Sequence, residues 1–299
     1  MGEYMQPIAF APTVKRLLQE LKISPNKLLG QNFLICESLA EKIVHTADIM
    51  EGDSVLEIGP GLGALSEHLS ERADCLTLIE LDERLYKHLL RLFNDNPQID
   101  VINADALSFN YAAYAASRAW QEYQVVANLP YHITTPLIRY LLLHSGPLKT
   151  LTLMMQLEVA QKLLLTSDGE TSGPLALLLQ YFGTANLVFT VEKENFFPAP
   201  QVESAVVRVT RHPQPPFAVA DLEQFASFLD KGFRHRRKTL INSLNNSLGG
   251  GVELWRKALY TCEVEENSRA EQVTLPKYVA LFSLPQIQEY LGKTHKHPT

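Results

Sequence analysis

The sequence predicts an α/β fold, an open and mostly parallel sheet with an antiparallel edge strand, plus a small all-helical C-terminal domain. Three patterns carry that expectation. From Val55 to Met155, short apolar runs alternate with segments of helical period, which is how parallel strands joined by crossover helices are written. Leu187–Val191 and Ala205–Val209 then read as two strands joined by a Pro-containing connection, a terminal antiparallel pair at the sheet edge. Beyond His212-Pro213-Gln214-Pro215-Pro216 no strand pattern survives, so that stretch reads as a linker into helices.

The elements follow in order. Val14, Leu17, Leu18 and Leu21 repeat at helical spacing after Pro12, and Ser24-Pro25-Asn26 ends that helix. A loop carries Gly30-Gln31-Asn32-Phe33-Leu34, and a helix runs from about Ser38 to Ile49. Val55–Ile58 is a short buried strand, followed by glycines and a helix through His68. Strands are expected at Cys75–Leu81, Ile99–Ile102, Gln124–Ala127 and Leu151–Met155, with helices over Glu83–Phe93 and Leu137–Leu143. In the C-terminal part Leu222–Phe233, Thr239–Leu248 and Val252–Tyr260 read as helices. The expected boundary falls between residues 1–215, with an N-terminal helical extension over about 1–37, and residues 216–299.

Composition narrows the function classes. At 46% hydrophobic and 20% charged residues the 299-residue chain is ordinary globular material. No apolar run reaches the roughly 20 residues of a membrane span, and the start resembles neither a secretory signal nor a transit peptide, so the expected compartment is the cytoplasm. Cys36, Cys75 and Cys262 are odd in number and lack close spacing, which argues against a disulfide framework or a zinc site and for buried reduced thiols. The nine histidines show no ligand spacing, and no metal is expected. A net charge of -6 counts against a broad polyanion-binding surface. The charge is uneven, however: Phe217–Thr299 holds 11 Lys+Arg against 9 Asp+Glu, the rest 16 against 24.

Gly59-Pro60-Gly61-Leu62-Gly63 sits between a strand and a helix, where glycines let the chain turn sharply and let a ligand approach the backbone. Alone the loop is ambiguous, because Gly59, Gly61 and Ala64 also satisfy a dinucleotide-binding pattern. Glu80 ends the second strand, where a carboxylate can accept both ribose hydroxyls of a nucleoside. Glu57, inside the first strand, replaces the apolar residue usual in dinucleotide folds. Asp105 follows the third strand, where it can accept from the exocyclic amine of a bound adenine. S-adenosylmethionine has no pyrophosphate and needs side chains for much of its recognition, so this set points to a methyl donor rather than a nicotinamide.

Asn128-Leu129-Pro130-Tyr131 follows the fourth strand. An adenine amino nitrogen is a weak nucleophile because its lone pair is delocalised into the ring. Two acceptors on its hydrogens, the Asn128 carboxamide oxygen and a backbone carbonyl such as that of Leu129, favour pyramidalisation and free the lone pair. The methyl must then lie in line, a positioning effect. Pro130 stiffens the loop, and Tyr131 offers a face for a base that has left its stack. In Phe196-Phe197-Pro198-Ala199-Pro200, Phe196 is the expected opposite face.

Together these motifs resemble the bacterial KsgA/RsmA family, the small-subunit ribosomal RNA adenine N6-dimethyltransferases. The resemblance runs from Gly30–Leu34 through Glu57–Gly63, Glu80, Asp105, Asn128–Tyr131, Gln156–Ala160 and Phe196–Val206 to Arg236-Arg237-Lys238-Thr239. It implies a class I (Rossmann-like) methyltransferase sheet and a donor site of S-adenosyl-L-methionine lined by Asn32, Leu34, Gly59, Glu80, Asp105 and Asn128. It further implies, as substrate, two adjacent adenines near the 3′ end of 16S rRNA, each methylated twice within the immature 30S subunit, and a monomeric enzyme. Leu157 departs from the lysine common in the family, Arg234-His235 are more basic than expected, and about 14 residues lead the usual start. With the resemblance, Lys231, Arg234, Arg236, Arg237 and Lys238 read as phosphate contacts in a helical RNA-binding domain. Two other readings stand beside this one. A large-subunit RNA methyltransferase of the antibiotic-resistance type shares the glycine loop and Asn-Leu-Pro-Tyr, but the basic C-terminal helices favour the small-subunit enzyme. A non-catalytic assembly or nucleic-acid-binding factor is disfavoured by an intact Asn128 and Tyr131.

Overall fold

A computed structural model describes residues 6–25, 31–130, 133–164 and 173–294. Helix α1 (Ala11–Glu20), strand β1 (Phe33–Leu34) and α2 (Glu37–Ala47) lead into the sheet. Strands β2 (Ser54–Ile58), β3 (Cys75–Glu80), β4 (Ile99–Asn103), β5 (Tyr123–Asn128) and β6 (Leu148–Gln156) then alternate with α3 (Ala64–Ser70), α4 (Glu83–Leu92), α5 (Tyr111–Ser117) and α6 (Thr134–His144). Next come α7 (Leu157–Leu163), α8 (Pro174–Phe182), β7 (Gly183–Val191), β8 (Phe196–Phe197) and β9 (Ser204–Arg211). The remaining helices are α9 (Leu222–Phe233), α10 (Leu240–Leu248), α11 (Val252–Thr261), α12 (Leu275–Ser283) and α13 (Pro285–Thr294).

The seven-stranded sheet has the order β4-β3-β2-β5-β6-β9-β7, parallel from β4 to β6 and antiparallel at β6–β9. This is the expected mostly parallel sheet, with an antiparallel strand near one edge. Local chemistry explains the joints. Every residue of β2 is buried, as a central parallel strand demands. Asp82 caps α4 by accepting from the Arg84 N–H at 2.9 Å, and Asn110 caps α5 from the Ala113 N–H at 3.0 Å. Because the chain goes from β2 outward to β4 and only then returns to β5, strand order reverses between β2 and β5. Open α/β sheets bind ligands at the carboxyl ends of strands flanking such a reversal.

The chain forms two compact units, Met1–Gln161 with Ala185–Arg211, and Lys162–Thr184 with His212–Thr299. A single cut between 215 and 216 therefore does not describe the division, because residues 162–184 cluster with the C-terminal helices. The reason lies in α8: Leu177 and Tyr181 enter the same core as Phe225, Phe228, Trp255 and Phe282. Helix α8 buries Ala176, Leu177, Leu178, Leu179, Tyr181 and Phe182, so it has no polar face and no amphipathic stripe in its sequence. Asp221 caps α9 through the Gln224 N–H at 2.8 Å, and Thr239 caps α10. The three cysteines are free thiols, half-buried rather than buried. No helix among the described residues is long and apolar enough to cross a membrane.

Candidate active site

At the carboxyl ends of β2 and β5 the sheet unit holds a small cavity of about 110 Å³, partly open to solvent. Its wall includes Asn32, Leu34, Glu57, Gly59, Gly61, Leu62, Glu80, Leu85, Asn128, Leu129, Pro130 and Phe196.

The glycine loop is held from three sides. The Gly59 N–H donates to the Ile79 carbonyl at 2.9 Å, and the Gly63 N–H to the Pro60 carbonyl at 2.9 Å. His88 of α4 reaches the Leu62 carbonyl at 3.2 Å. A carbonyl only accepts, so Nε2 of His88 carries the proton, and burial lowers this imidazole's pKa. Gly61 has φ +62°, and a Cβ there would meet the Phe33 ring at 3.4 Å. Glycine therefore answers to the left-handed backbone, since the ring contact is an ordinary van der Waals distance.

Glu80, 7% exposed, ends β3 with its two oxygens oriented by backbone. Oε2 accepts the Gly61 N–H at 3.1 Å, and Oε1 accepts the Asp82 N–H at 2.9 Å. Burial raises its pKa, and the N–H groups of Asp82 and Gly61 oppose that shift. Each carboxylate oxygen offers about two acceptor directions, so the backbone bonds leave directions that hydroxyl donors can use. Glu57 on β2 is 1% exposed, and its Oε2 accepts the Ser66 hydroxyl at 2.5 Å. Burial pushes its carboxyl up to about 8, against the Ser66 hydrogen bond and with help from the Glu80 charge.

Asn128 ends β5, and its Nδ2 donates to the Asn32 carbonyl at 3.4 Å. That bond takes up the amide nitrogen and tells the two ends of the carboxamide apart. The Leu129 N–H donates to the Met154 carbonyl at 3.0 Å, while the Pro130 carbonyl accepts from Thr134 Oγ1 at 3.1 Å. The turn is thus fixed at both ends. Strands β1 and β8 close the cavity by pairing Phe33 with Phe197 and Leu34 with Phe196. The Ile35 N–H extends the ladder to the Asn195 carbonyl at 2.9 Å.

The structure brings together most of the residues expected from sequence. Asn32, Leu34, Gly59, Glu80, Asn128, Leu129, Pro130 and Phe196 line one cavity. Asp105 is not among the residues lining it. It is exposed in the turn after β4, where its Oδ1 accepts the Leu107 N–H at 2.9 Å. Phe196, 3% exposed, packs in the same core as Leu34 and Met154, so it is a wall of the cavity rather than an open platform. Tyr131 lies outside the described residues. Sequence reasoning did not single out Leu62, Leu65 and Leu85 as cavity walls; their signal was no more than apolar residues flanking the glycine loop and opening α4.

The basic run lies in the helical unit. Lys231 is half-buried near the end of α9, with its carbonyl accepting Ser243 Oγ at 3.0 Å. Arg234, Arg236, Arg237 and Lys238 are exposed in the turn to α10, which is tied down by the His235 N–H to Ser243 Oγ at 3.2 Å. Among the described residues no group of three or more His, Cys, Asp or Glu side chains is placed to hold a metal ion.

Comparison with known proteins identifies the family. The family described as ribosomal RNA adenine dimethylase matches residues 23–286. Ribosomal RNA small subunit methyltransferase A of Streptococcus uberis is 38% identical over 257 residues, covering 84% of this chain and 89% of its own. The protein of the same name from Alkaliphilus oremlandii is 34% identical over 279 residues, covering 93% and 97%. Among solved structures, the 23S rRNA methyltransferase ErmE superposes with a TM-score of 0.63 at 28% identity, over 87% of this chain and 100% of its own. A dimethyladenosine transferase from Plasmodium falciparum has the same fold, with a TM-score of 0.68 at 22% identity over 86% and 98%. The family match runs across most of the length, and the chain belongs to the ribosomal RNA adenine dimethylase family.

Proposed function

We propose that this enzyme transfers methyl groups from S-adenosylmethionine to the N6 amino groups of two adjacent adenines near the 3′ end of 16S rRNA, two per base, in the immature small subunit. One observation carries the reading: the Asn128-Leu129-Pro130 turn lines the same cavity as Glu80 and the glycine loop. An amine-activating group and a nucleoside-holding group thereby share one site. The small-subunit substrate is supported by relatives of that name at 34–38% identity; the large-subunit reading rests on ErmE at 28%.

The residues present suit the donor. The Glu80 carboxylate, already aligned by Gly61 and Asp82, accepts the ribose hydroxyls. Leu34, Leu62 and Leu85 give apolar walls, and Gly59 and Gly61 allow close backbone approach. Asp105, two residues beyond the β4 partner of Glu80, accepts from the adenine amine with the oxygen opposite the one that holds Leu107. When bound, S-adenosylmethionine supplies an electrophilic methyl group on a sulfonium.

The chain's part is to prepare the nucleophile. Asn128 Oδ1 and the Leu129 carbonyl accept the two N6 hydrogens, which localises the nitrogen lone pair and fixes its direction. No strong base is needed, because the nitrogen becomes acidic once alkylated. Tyr131 stacks on the base, and Phe196 stays a wall of the cavity. Lys231, Arg234, Arg236, Arg237 and Lys238 hold RNA phosphates, which position without reading sequence. The enzyme works as a monomer in the cytoplasm. The test is to incubate the protein with labelled methyl donor and immature small subunits and map the label. Label on two neighbouring adenines near the 3′ end is expected; label confined to large-subunit RNA, or none, overturns the reading.

A further inference from the structure

Helix α1 precedes residue 23, where the family match begins, yet it is built onto the wall of the donor cavity. Val14 and Leu18 pack in one cluster with Ile8, Ile23, Phe33, Leu62 and Leu85, and the last three of these line the cavity. Polar ties fix the segment. The Ile8 N–H donates to Glu67 Oε2 at 3.0 Å, Phe10 bridges Cys36, and Arg84 Nη1 reaches the Lys22 carbonyl at 3.1 Å. The outer rim of α1 is therefore held in a fixed relation to the site.

That rim borders a second hollow, whose described lining includes Lys15, Gln19, Lys22, Ser24 and Phe197 and has no acidic side chain. The Lys15 ammonium stands 5.2 Å from the centre of the Phe197 ring, within cation–π reach. Phe197 is the ladder partner of Phe33 and the neighbour of Phe196, both cavity walls. The hollow thus adjoins the donor cavity across the β1–β8 pair. Charge says what fits there. Glu20, the acid of α1, is held by Arg16 at 3.0 Å, so the segment does not spend it on Lys15 or Lys22. In a chain of net charge -6, a local pair of cations beside an aromatic ring suits a polyanion better than any apolar guest.

We propose that this hollow is an RNA-binding subsite: Lys15 and Lys22 seat backbone phosphate of the nucleotide adjoining the target adenine, and Phe197 backs its sugar or base. Lysine binds phosphate as a point charge, and an aromatic wall beside cations is how single strands are tracked without sequence readout. The inference rests on RNA being the substrate.

The test compares three proteins, the parent, Lys15→Ala/Lys22→Ala and Lys15→Arg/Lys22→Arg, binding purified immature small subunits across a salt series. Two lost phosphate contacts should weaken binding and lower the salt slope by about 1.4–1.8. The arginine pair should keep both affinity and slope, and calorimetric affinity for S-adenosylhomocysteine should stay within about twofold in all three. An alanine pair that follows the parent in affinity and slope overturns the subsite, as does a loss confined to S-adenosylhomocysteine binding. Parent protein that labels no adenine on the same subunits refutes the substrate reading; a labelling parent with an indifferent alanine pair refutes the subsite alone.

Discussion

Replacing Glu80 with glutamine probes the donor site with little change of shape. In the parent each carboxylate oxygen holds one backbone N–H, from Gly61 at 3.1 Å and from Asp82 at 2.9 Å. Glutamine keeps one acceptor oxygen and turns an amide NH₂ toward the other backbone donor. One ribose hydroxyl thereby loses a charged acceptor, and one N–H loses its partner. A hydrogen bond to a charged group contributes roughly 1.5–3 kcal/mol, so the dissociation constant for S-adenosylhomocysteine should rise about 10- to 150-fold. Calorimetry with S-adenosylhomocysteine and its 2′-deoxy and 3′-deoxy analogues attributes the loss. The parent should lose affinity on removal of either hydroxyl, and Glu80→Gln should lose much less on removal of the hydroxyl whose acceptor is gone. That non-additivity is the signature of direct contact. Equal affinity of parent and variant, or deoxy penalties identical in both, would refute the assignment of Glu80 to the ribose.

Three further outcomes are expected. Asn128→Ala should slow single-turnover methylation on the order of 10²–10³-fold, as loss of one aligned polar group in a reacting site does, with small-subunit affinity retained; parental turnover would remove the amine-activating role. Glu57, with a folded pKa of about 8 against an ordinary 4.5, binds its extra proton only when folded. Stability therefore falls as pH rises between those values, by up to about 1.4 kcal/mol per unit, and levels off above them. Glu57→Gln should flatten that fall in urea unfolding between pH 5.5 and 8.5, and a pH-independent difference from the parent would show that Glu57 does not titrate there. Arg236→Ala/Arg237→Ala/Lys238→Ala should lower the salt slope of subunit binding by about 2–3 with donor affinity unchanged; an unaltered slope would make the turn a solvated surface.

What the sequence made legible was local. Glu80, the glycine loop and Asn128 were recognisable because each sits at a strand end next to a turn, and strand ends of a parallel sheet share one rim. The same logic pointed to Asp105, and the register pairs Glu80 with Asn103. Asp105 is carried two residues further, into a turn where it holds Leu107. The choice between Phe196 and Phe197 depended on a ladder with Leu34 and Phe33, and nothing within either segment encodes that register. The amphipathic stripe of α1 was readable from Val14, Leu17, Leu18 and Leu21, whereas its partners Phe33, Leu62 and Leu85 are distant in sequence. Helix α8 was missed because it is apolar all round, and with it the membership of residues 162–184 in the helical unit.

The two-residue ladder between β1 and β8 also sets a schedule for biosynthesis. Leu34 leaves the ribosome early, but its partner Phe196 follows 162 positions later. At about 5–20 residues per second, that gap lasts on the order of 10–30 s. Over its last 68 positions, from Asn128 to Phe196, the nascent chain carries Glu80, the glycine loop and Asn128 without the strand that completes their enclosure. Pairings this distant in sequence form late, because the loop must close before the contacts reward it. The nascent enzyme is therefore expected to gain its closed donor pocket only once β8 has emerged, long after the first residues that line it.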